Sequence, residues 1–195
     1  MKIYALTGGI AAGKSEASRR FEQLGIPVID SDSIGHEALE TGGAAEKQVL
    51  EAFGDEILTE GRIDREKLAA IVFADPEALE RLNRLVHPAV LKAIAARTAK
   101  LAEEGHDAAI IEAALHAEDG KLREGFAGLI VIHCPPETRI RRLMKGRGMS
   151  EEEASRRIEA QTPPETKLHL ARWVIMNTGD IAHLHEQVDA IAEEL

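Results

Sequence analysis

The pattern that most limits the fold of this chain lies at its N-terminal end. An apolar run over residues 3–6 leads directly into Gly8-Gly9-Ile10-Ala11-Ala12-Gly13-Lys14-Ser15, which matches the phosphate-loop pattern G-x-x-x-x-G-K-[ST]. The residues after Lys14 are typical of a helix, so the required order of strand, loop and helix is present. Backbone N–H groups of such a loop surround an anion, and the helix N-terminus adds a favourable dipole. The sequence therefore predicts a nucleoside triphosphate site.

The residues of this loop contribute different groups to phosphate binding. Lys14 would place a positive charge on the outer phosphates, and Ser15 would offer a hydroxyl ligand to Mg²⁺. Glu16 follows in the first helical turn, where the helix dipole tolerates a carboxylate although nearby phosphates disfavour it. The predicted nucleotide-binding residues of this segment are Gly8, Gly9, Ile10, Ala11, Ala12, Gly13, Lys14, Ser15 and Glu16.

Composition excludes several other classes of protein. The 195 residues are 44% hydrophobic and 30% charged, as in an ordinary globular protein with a substantial core. A net charge of −10 argues against non-specific binding to nucleic acid or to a membrane surface. The single cysteine, Cys134, excludes an internal disulfide and a cysteine-based zinc cluster. With no signal peptide before the loop and no apolar stretch of membrane-span length, we expect a cytoplasmic protein without nucleic-acid or membrane partners.

Short apolar runs alternate with helical patterns, which indicates an α/β fold in which helices cover a parallel sheet in three layers. The predicted strands are residues 3–6, 27–30, 108–112, 129–133 and 173–176. Two stretches interrupt the alternation: a helical insertion at about 35–105, and a helical flap at about 146–170. We predict one domain with its core at about 1–34, 106–145 and 171–195.

The flap and the helix before it are basic. Residues 139–172 contain nine Lys and Arg residues against five Glu residues, so this segment carries +4 and the remainder −14. A basic flap on an acidic body suits a lid that closes over phosphates and supplies cations to them. A solvated helix face is the alternative.

The second predicted strand ends in the acidic segment Asp30-Ser31-Asp32. If the backbone stays extended there, both carboxylates point to the same side, at the sheet edge where α/β proteins bind ligands. One carboxylate would then act as base toward an attacking hydroxyl, and the other would contact Mg²⁺ indirectly. Alternatively, Ser31 or Asp32 caps the following helix.

Seven further short motifs are spread along nearly the whole chain. They are Leu6-Thr7-Gly8-Gly9-Ile10, Leu24-Gly25, His87-Pro88, Pro136-Glu137-Thr138, Arg142-Leu143, Arg157-Ile158-x-x-Gln161 and Val174-Ile175-x-Asn177-x-Gly179. Together with the phosphate loop and the acidic segment, they resemble the dephospho-coenzyme A kinases over nearly the whole chain. The resemblance implies a P-loop kinase core in which ATP donates its γ-phosphate to the ribose 3′-hydroxyl of dephospho-CoA, the last step of coenzyme A synthesis.

The same resemblance implies roles for individual residues. Asp32 would be the base or orienter of the acceptor hydroxyl, and Lys14, Arg142 and Arg147 would act on the phosphates. Asn177 and Gly179 would lie near the adenine of ATP. The insertion would cover the acceptor, and the flap would be the lid. The predicted acceptor-binding residues are Asp30, Asp32, His87, Glu118, Arg157 and Gln161.

The chain also departs from the family pattern. Ala11-Ala12 replaces the usual Gly-Ser; we expect alanine to fit because we expect no positive φ there. Glu16 replaces a usual Thr, and Gly146 stands where a lid arginine is expected, with Arg147 next to it. Residues 114–118 replace a Pro-Leu-Leu-Phe-Glu-like segment. Two alternatives therefore stay open: a kinase for another small molecule, and a nucleotide-binding regulatory protein without phosphotransfer.

Three local motifs and the single cysteine also have purely structural interpretations. His87-Pro88 by itself predicts a buried histidine and a proline that opens a helix over 89–96. Asp75-Pro76 predicts the start of a helix, and Ser150 with Glu153 predicts a capping box. Cys134 is predicted to be a core residue at a strand end.

Overall fold

A computed structural model describes residues 1–112, 122 and 124–195. The chain divides into two compact units, residues 1–29 with 101–195 and residues 30–100. The predicted helical insertion, about 35–105, therefore corresponds closely to the second unit.

The strands and helices follow the predicted alternation. The strands are β1 (Lys2–Gly8), β2 (Val28–Asp30), β3 (Leu58–Thr59), β4 (Arg62–Ile63), β5 (Ala108–Glu112), β6 (Gly128–His133) and β7 (Trp173–Met176). The α-helices are α1 (Lys14–Gln23), α2 (Ser31–Leu39), α3 (Glu46–Phe53), α4 (Arg65–Ala74), α5 (Pro76–Glu103), α6 (Pro136–Arg147), α7 (Glu151–Glu159) and α8 (Ile181–Ala192). Two 3₁₀ helices span Asp55–Ile57 and Pro164–Leu170.

The first unit is built on a five-stranded sheet in the order β2-β5-β1-β6-β7. The pairs β1–β5, β1–β6 and β6–β7 are parallel, as predicted. The central strand β1 is longer than the predicted 3–6, because its pairing with β6 continues to Gly8 opposite Ile132. The strand therefore runs directly into the phosphate loop.

Alternate residues of the central strands pack on opposite faces of this sheet. One face carries Tyr4, Leu6, Ile130 and Ile132, which pack with Phe21 of α1 and with Leu184 and Val188 of α8. The other face carries Ala5, Leu129 and Val131, which pack with Leu168 and Leu170 of the second 3₁₀ helix. The guanidinium of Arg20 also binds both oxygens of Asp189 at 2.7 Å, which ties α1 to α8. The predicted three-layer α/β core is confirmed.

The second unit is helical apart from one short hairpin that the sequence pattern did not predict. Strands β3 and β4 pair antiparallel around Glu60 and Gly61, whose φ angles are +52° and +77°. Positive φ at both turn residues is typical of tight hairpins. Two residues per strand are too few to show alternation, which is why the hairpin was missed.

The long helix α5 corrects the interpretation of His87-Pro88. Pro88 lies inside α5 and does not open a helix. His87 is exposed, so the prediction of a buried histidine is wrong. The predicted start at Asp75-Pro76 is confirmed, because Asp75 Oδ1 accepts a hydrogen bond of 2.9 Å from the N–H of Glu77.

Within residues 1–112, 122 and 124–195, no helix combines the length and apolar character needed to cross a membrane.

Candidate active site

The phosphate loop occupies the turn between β1 and α1. The N–H of Ala12 donates to the carbonyl oxygen of Gly9 at 3.1 Å, which closes the turn. Lys14, the first residue of α1, folds back so that Nζ donates to the carbonyl oxygen of Gly8 at 3.1 Å. Its ammonium thus lies at the strand end of the loop, among backbone groups that can surround the outer phosphates.

The backbone at Ala11 differs from the expectation. Its φ is +58°, in the left-handed region, whereas we expected no positive φ at Ala11 or Ala12. A β-carbon in this conformation approaches the following carbonyl oxygen, which costs roughly 1–2 kcal/mol. Only Ala11 of the two alanines has a positive φ, so the loop is strained at one residue.

We therefore expect Ala11→Gly and Ala12→Gly to change stability in opposite directions. Glycine at position 11 relieves the strain, and this gain is larger than the cost of the greater conformational freedom that glycine gives the unfolded chain. We expect the free energy of unfolding to rise by roughly 0.5–1 kcal/mol. Glycine at the buried position 12 brings only the entropic cost and a lost methyl contact, for a loss of about 1 kcal/mol or more. Chemical denaturation of both variants measures this, and destabilisation by Ala11→Gly would contradict it.

Asn177 and Arg142 hold the loop through its carbonyl oxygens. Asn177 is buried, and its Nδ2 donates to the carbonyl oxygen of Ala12 at 2.7 Å. Arg142 donates from Nη2 to Asn177 Oδ1 at 3.1 Å and from Nη1 to the carbonyl oxygen of Ala11 at 3.3 Å. A β-carbon on Gly13, whose φ is +105°, would overlap Nδ2 of Asn177. These two side chains, predicted to contact nucleotide, are bound to the loop itself.

Cys134 lies beside this group, directly after β6, and is a buried core residue as predicted. Burial raises the pKa of its thiol above the usual range, which keeps it protonated. The Nη1 atom of Arg142 lies 3.6 Å from its sulfur.

A second arginine of α6 lies against the loop and was not singled out from the sequence. Arg139 is only 3% exposed. A β-carbon on Gly9 would overlap its Nη1 atom, so the guanidinium packs directly on the backbone of Gly9. The available signal was its position one helical turn before Arg142, which places both side chains on one face of the helix.

Residues of the predicted lid lie over the loop. The backbone N–H of Ile10 donates to Oε1 of Gln161 at 2.7 Å, so Gln161, predicted to bind the acceptor, contacts the loop. A cavity of about 240 Å³ lies between the phosphate loop and the predicted lid. It is lined by Thr7, Gly8 and Gly9 and by Ala160, Gln161, Thr162, Pro164 and Lys167.

Helix α6 extends into the first residues of the predicted lid, and two predicted arginines lie at the surface. Gly146 lies within α6, which ends at Arg147 and is terminated by Gly148 in the left-handed conformation. Arg147 is exposed. Arg157 is also exposed and is paired with Glu153 at 3.0 Å. Ser150 caps α7 through the N–H of Glu153, which confirms the predicted helix start.

The charge of Glu16 is compensated by its neighbours. Its carboxylate lies 2.9 Å from Nε2 of His185 and 2.7 Å from Nη1 of Arg19. The hydrogen bond with His185, with the charge of Arg19, holds the pKa of Glu16 below its usual range. Ser15, next to it, is exposed at the start of α1.

The acidic segment Asp30-Ser31-Asp32 is organised differently from either expectation. Helix α2 begins at Ser31, so the backbone is not extended through Asp32. The cap is Asp30, whose Oδ1 accepts from the N–H groups of Asp32 at 2.9 Å and Ser33 at 3.2 Å. Asp32 is exposed in the first turn of α2, and its carboxylate makes no capping bond in the described part of the chain.

Gly179 and Glu118 are two further predicted site residues. Gly179 precedes α8, which is capped by Asp180 through the N–H of His183 at 2.9 Å. Glu118, with the altered segment 114–118, lies outside the described residues.

Comparison with known proteins identifies the family. The dephospho-CoA kinase family model matches residues 2–183. A Bacillus thuringiensis protein named dephospho-CoA kinase is 41% identical over 193 residues, which cover 98% of this chain and 96% of the relative.

Two solved structures are similar to this chain in sequence and in fold. A Thermus thermophilus protein is 34% identical, with a TM-score of 0.85 over 100% of this chain and 97% of its own. Dephospho-CoA kinase from Campylobacter jejuni is 28% identical, with a TM-score of 0.65 over 99% and 96%. The chain therefore belongs to the dephospho-CoA kinase family of ATP-dependent kinases.

Proposed function

We propose that this protein transfers the γ-phosphate of ATP to the ribose 3′-hydroxyl of dephospho-CoA. The observation that carries the proposal is the phosphate loop with the ammonium of Lys14 held at its strand end, in a chain that matches the family from residue 2 to residue 183. Loop N–H groups and Lys14 bind the phosphate charge, so phosphoryl transfer is the chemistry that they serve best.

In the proposed step, the 3′-oxygen attacks the γ-phosphorus. The new oxygen–phosphorus bond forms as the bond from the γ-phosphorus to the β–γ bridging oxygen breaks, which leaves ADP. The hydroxyl proton passes to the carboxylate of Asp32. Asp30 supports this assignment because it supplies the helix cap, so the carboxylate of Asp32 is not needed for that role.

Mg²⁺ fits the residues of the loop. This ion usually keeps several waters and binds one or two protein groups together with phosphates, so it needs no dedicated protein cage. The described residues contain no cluster of metal-ligating side chains, and the exposed hydroxyl of Ser15 follows Lys14. Ser15 would hold the ion, which when bound neutralises charge on the phosphates.

The second unit offers a surface suited to the acceptor. An open groove of about 820 Å³ is lined mostly by apolar residues, among them Leu39, Leu68 and Phe73, and its polar lining residues are His36, Asp64, Arg65 and Glu66. Arg65 Nη2 lies 2.7 Å from His36 Nε2. The apolar part of this groove suits a ligand with an aliphatic arm. The roles predicted for His87, Gly179 and Glu118 stay predictions, as does a cytoplasmic location.

Release of ADP on addition of dephospho-CoA tests the proposed function. We expect rapid, acceptor-dependent release with ATP, and phosphate on the 3′-oxygen of the product. Rapid release with a different hydroxyl acceptor and not with dephospho-CoA would support a kinase for another small molecule. Nucleotide binding without turnover would support a regulatory protein.

A further inference from the structure

Arg139 is a buried cation, and two of its three nitrogens have no acceptor among the described residues. It is 3% exposed, and in the described part of the chain its Nε and Nη1 atoms are buried without a hydrogen-bond acceptor. Arginine does not lose its proton in proteins, so deprotonation cannot relieve the cost of this burial. Buried charges are normally paired, and an unpaired one in a folded protein requires an explanation.

Its position indicates the kind of partner that is missing. The guanidinium packs so closely on Gly9 that a β-carbon there would overlap Nη1 and would lie 3.3 Å from Cγ of Pro164. Gly9 and Pro164 both line the cavity between the loop and the lid. The adjacent residue, Gly8, accepts the hydrogen bond from Nζ of Lys14. Arg139 and Lys14 therefore contact two adjacent residues of the loop, Gly9 and Gly8, at the end where the lysine acts on the β- and γ-phosphates.

The other arginines of this region are engaged or remote. Arg142 is bonded to Asn177 and to carbonyl oxygens of the loop, and Arg157 is paired with Glu153. Gly146 has no side chain to offer, and Arg147 is exposed at the end of α6.

We propose that Arg139 binds the γ-phosphate of the bound nucleotide as a second cation beside Lys14. A planar guanidinium matches the oxygens of a terminal phosphate, and its pairing removes the cost of the buried charge. The contact strengthens as negative charge shifts within the phosphates during transfer, so Arg139 also contributes to turnover. This inference rests on the proposed phosphotransfer, but its binding test needs no acceptor.

The test compares Arg139→Met with Arg141→Met on the same helix. Arg141 is exposed and bonds only Thr138 among the described residues, so its variant removes one charge without touching the loop. Titration calorimetry without acceptor measures the binding of ATP and of ADP to each variant. We expect Arg139→Met to weaken ATP binding about tenfold or more, the scale of one hydrogen bond to a charged group, and to change ADP binding much less. Arg141→Met should change neither.

Two further readouts separate phosphate binding from a structural role. In the nucleotide-free protein, Arg139→Met should melt at or above the parent temperature, because an unpaired buried charge is replaced by an apolar side chain. Its kcat with dephospho-CoA should fall more than its KM for the acceptor rises. Arg139→Lys keeps the charge and should recover part of the preference for ATP over ADP.

Three results would overturn the proposal. One is equal loss of ATP and ADP affinity in Arg139→Met, and another is parental affinity for both nucleotides. The third is a lower melting temperature of Arg139→Met, with Arg139→Lys restoring stability but no preference for ATP. If the parent protein does not phosphorylate dephospho-CoA, the proposed function fails, and the ATP and ADP titrations still decide whether Arg139 binds the γ-phosphate.

Discussion

Lys14→Ala is expected to abolish turnover while leaving the fold intact. Its ammonium binds the carbonyl oxygen of Gly8 at the end of the loop where the outer phosphates bind, so its loss removes a cation from the transferred group. The loss of one preorganised stabilising group lowers kcat by about a hundredfold to a thousandfold, and we expect at least that effect. The side chain is only partly buried and does not belong to the apolar core, so the melting temperature should change little.

The matched control is Lys145→Ala. Lys145 is an exposed lysine of α6 and loses the same charge and the same methylene groups. ADP release and thermal melting are measured on both variants. If Lys14→Ala melts like the parent protein and keeps near-parental turnover, the phosphate-loop assignment is wrong.

Asp32→Asn is expected to lower kcat about a hundredfold or more, the usual scale for a positioned acid–base group. The structure shows that this substitution changes the proposed base without changing the cap of α2. Asp30 caps α2, and Asp32 contributes only its backbone N–H to that cap. The amide therefore removes the proposed base and leaves the helix start as it is. Nucleotide affinity, measured by titration, should be nearly unchanged.

Asp75→Asn is the control for the loss of a carboxylate in the same unit. Asp75 caps α5 through the N–H of Glu77, and asparagine caps about as well as aspartate. We expect its activity and melting temperature to match the parent protein. Near-parental phosphorylation of dephospho-CoA by Asp32→Asn would remove Asp32 from the mechanism.

Local patterns were enough to predict the elements that carry the site. The phosphate loop and the five strands of the main sheet were predictable because each depends on residues close in sequence: a glycine pattern, short apolar runs and the helix that follows them. The caps at Asp75 and Ser150 were predictable for the same reason. The ordered motifs also indicated the family, because their spacing extends over nearly the whole chain.

Tertiary structure decided how the side chains around the loop are used. Ala11 has a positive φ in a loop whose carbonyl oxygens are held by Asn177 and Arg142, which are more than 100 positions away along the chain. No local pattern encodes that distance, and the helical spacing that places Arg139 and Arg142 on one face of α6 does not show that this face lies against the loop. Local sequence patterns alone specify a phosphate loop on a parallel sheet. The positions of α6 and of Asn177, the residue after β7, determine which side chains contact that loop. Burial and hydrogen-bond partners depend on residues that only the fold brings together.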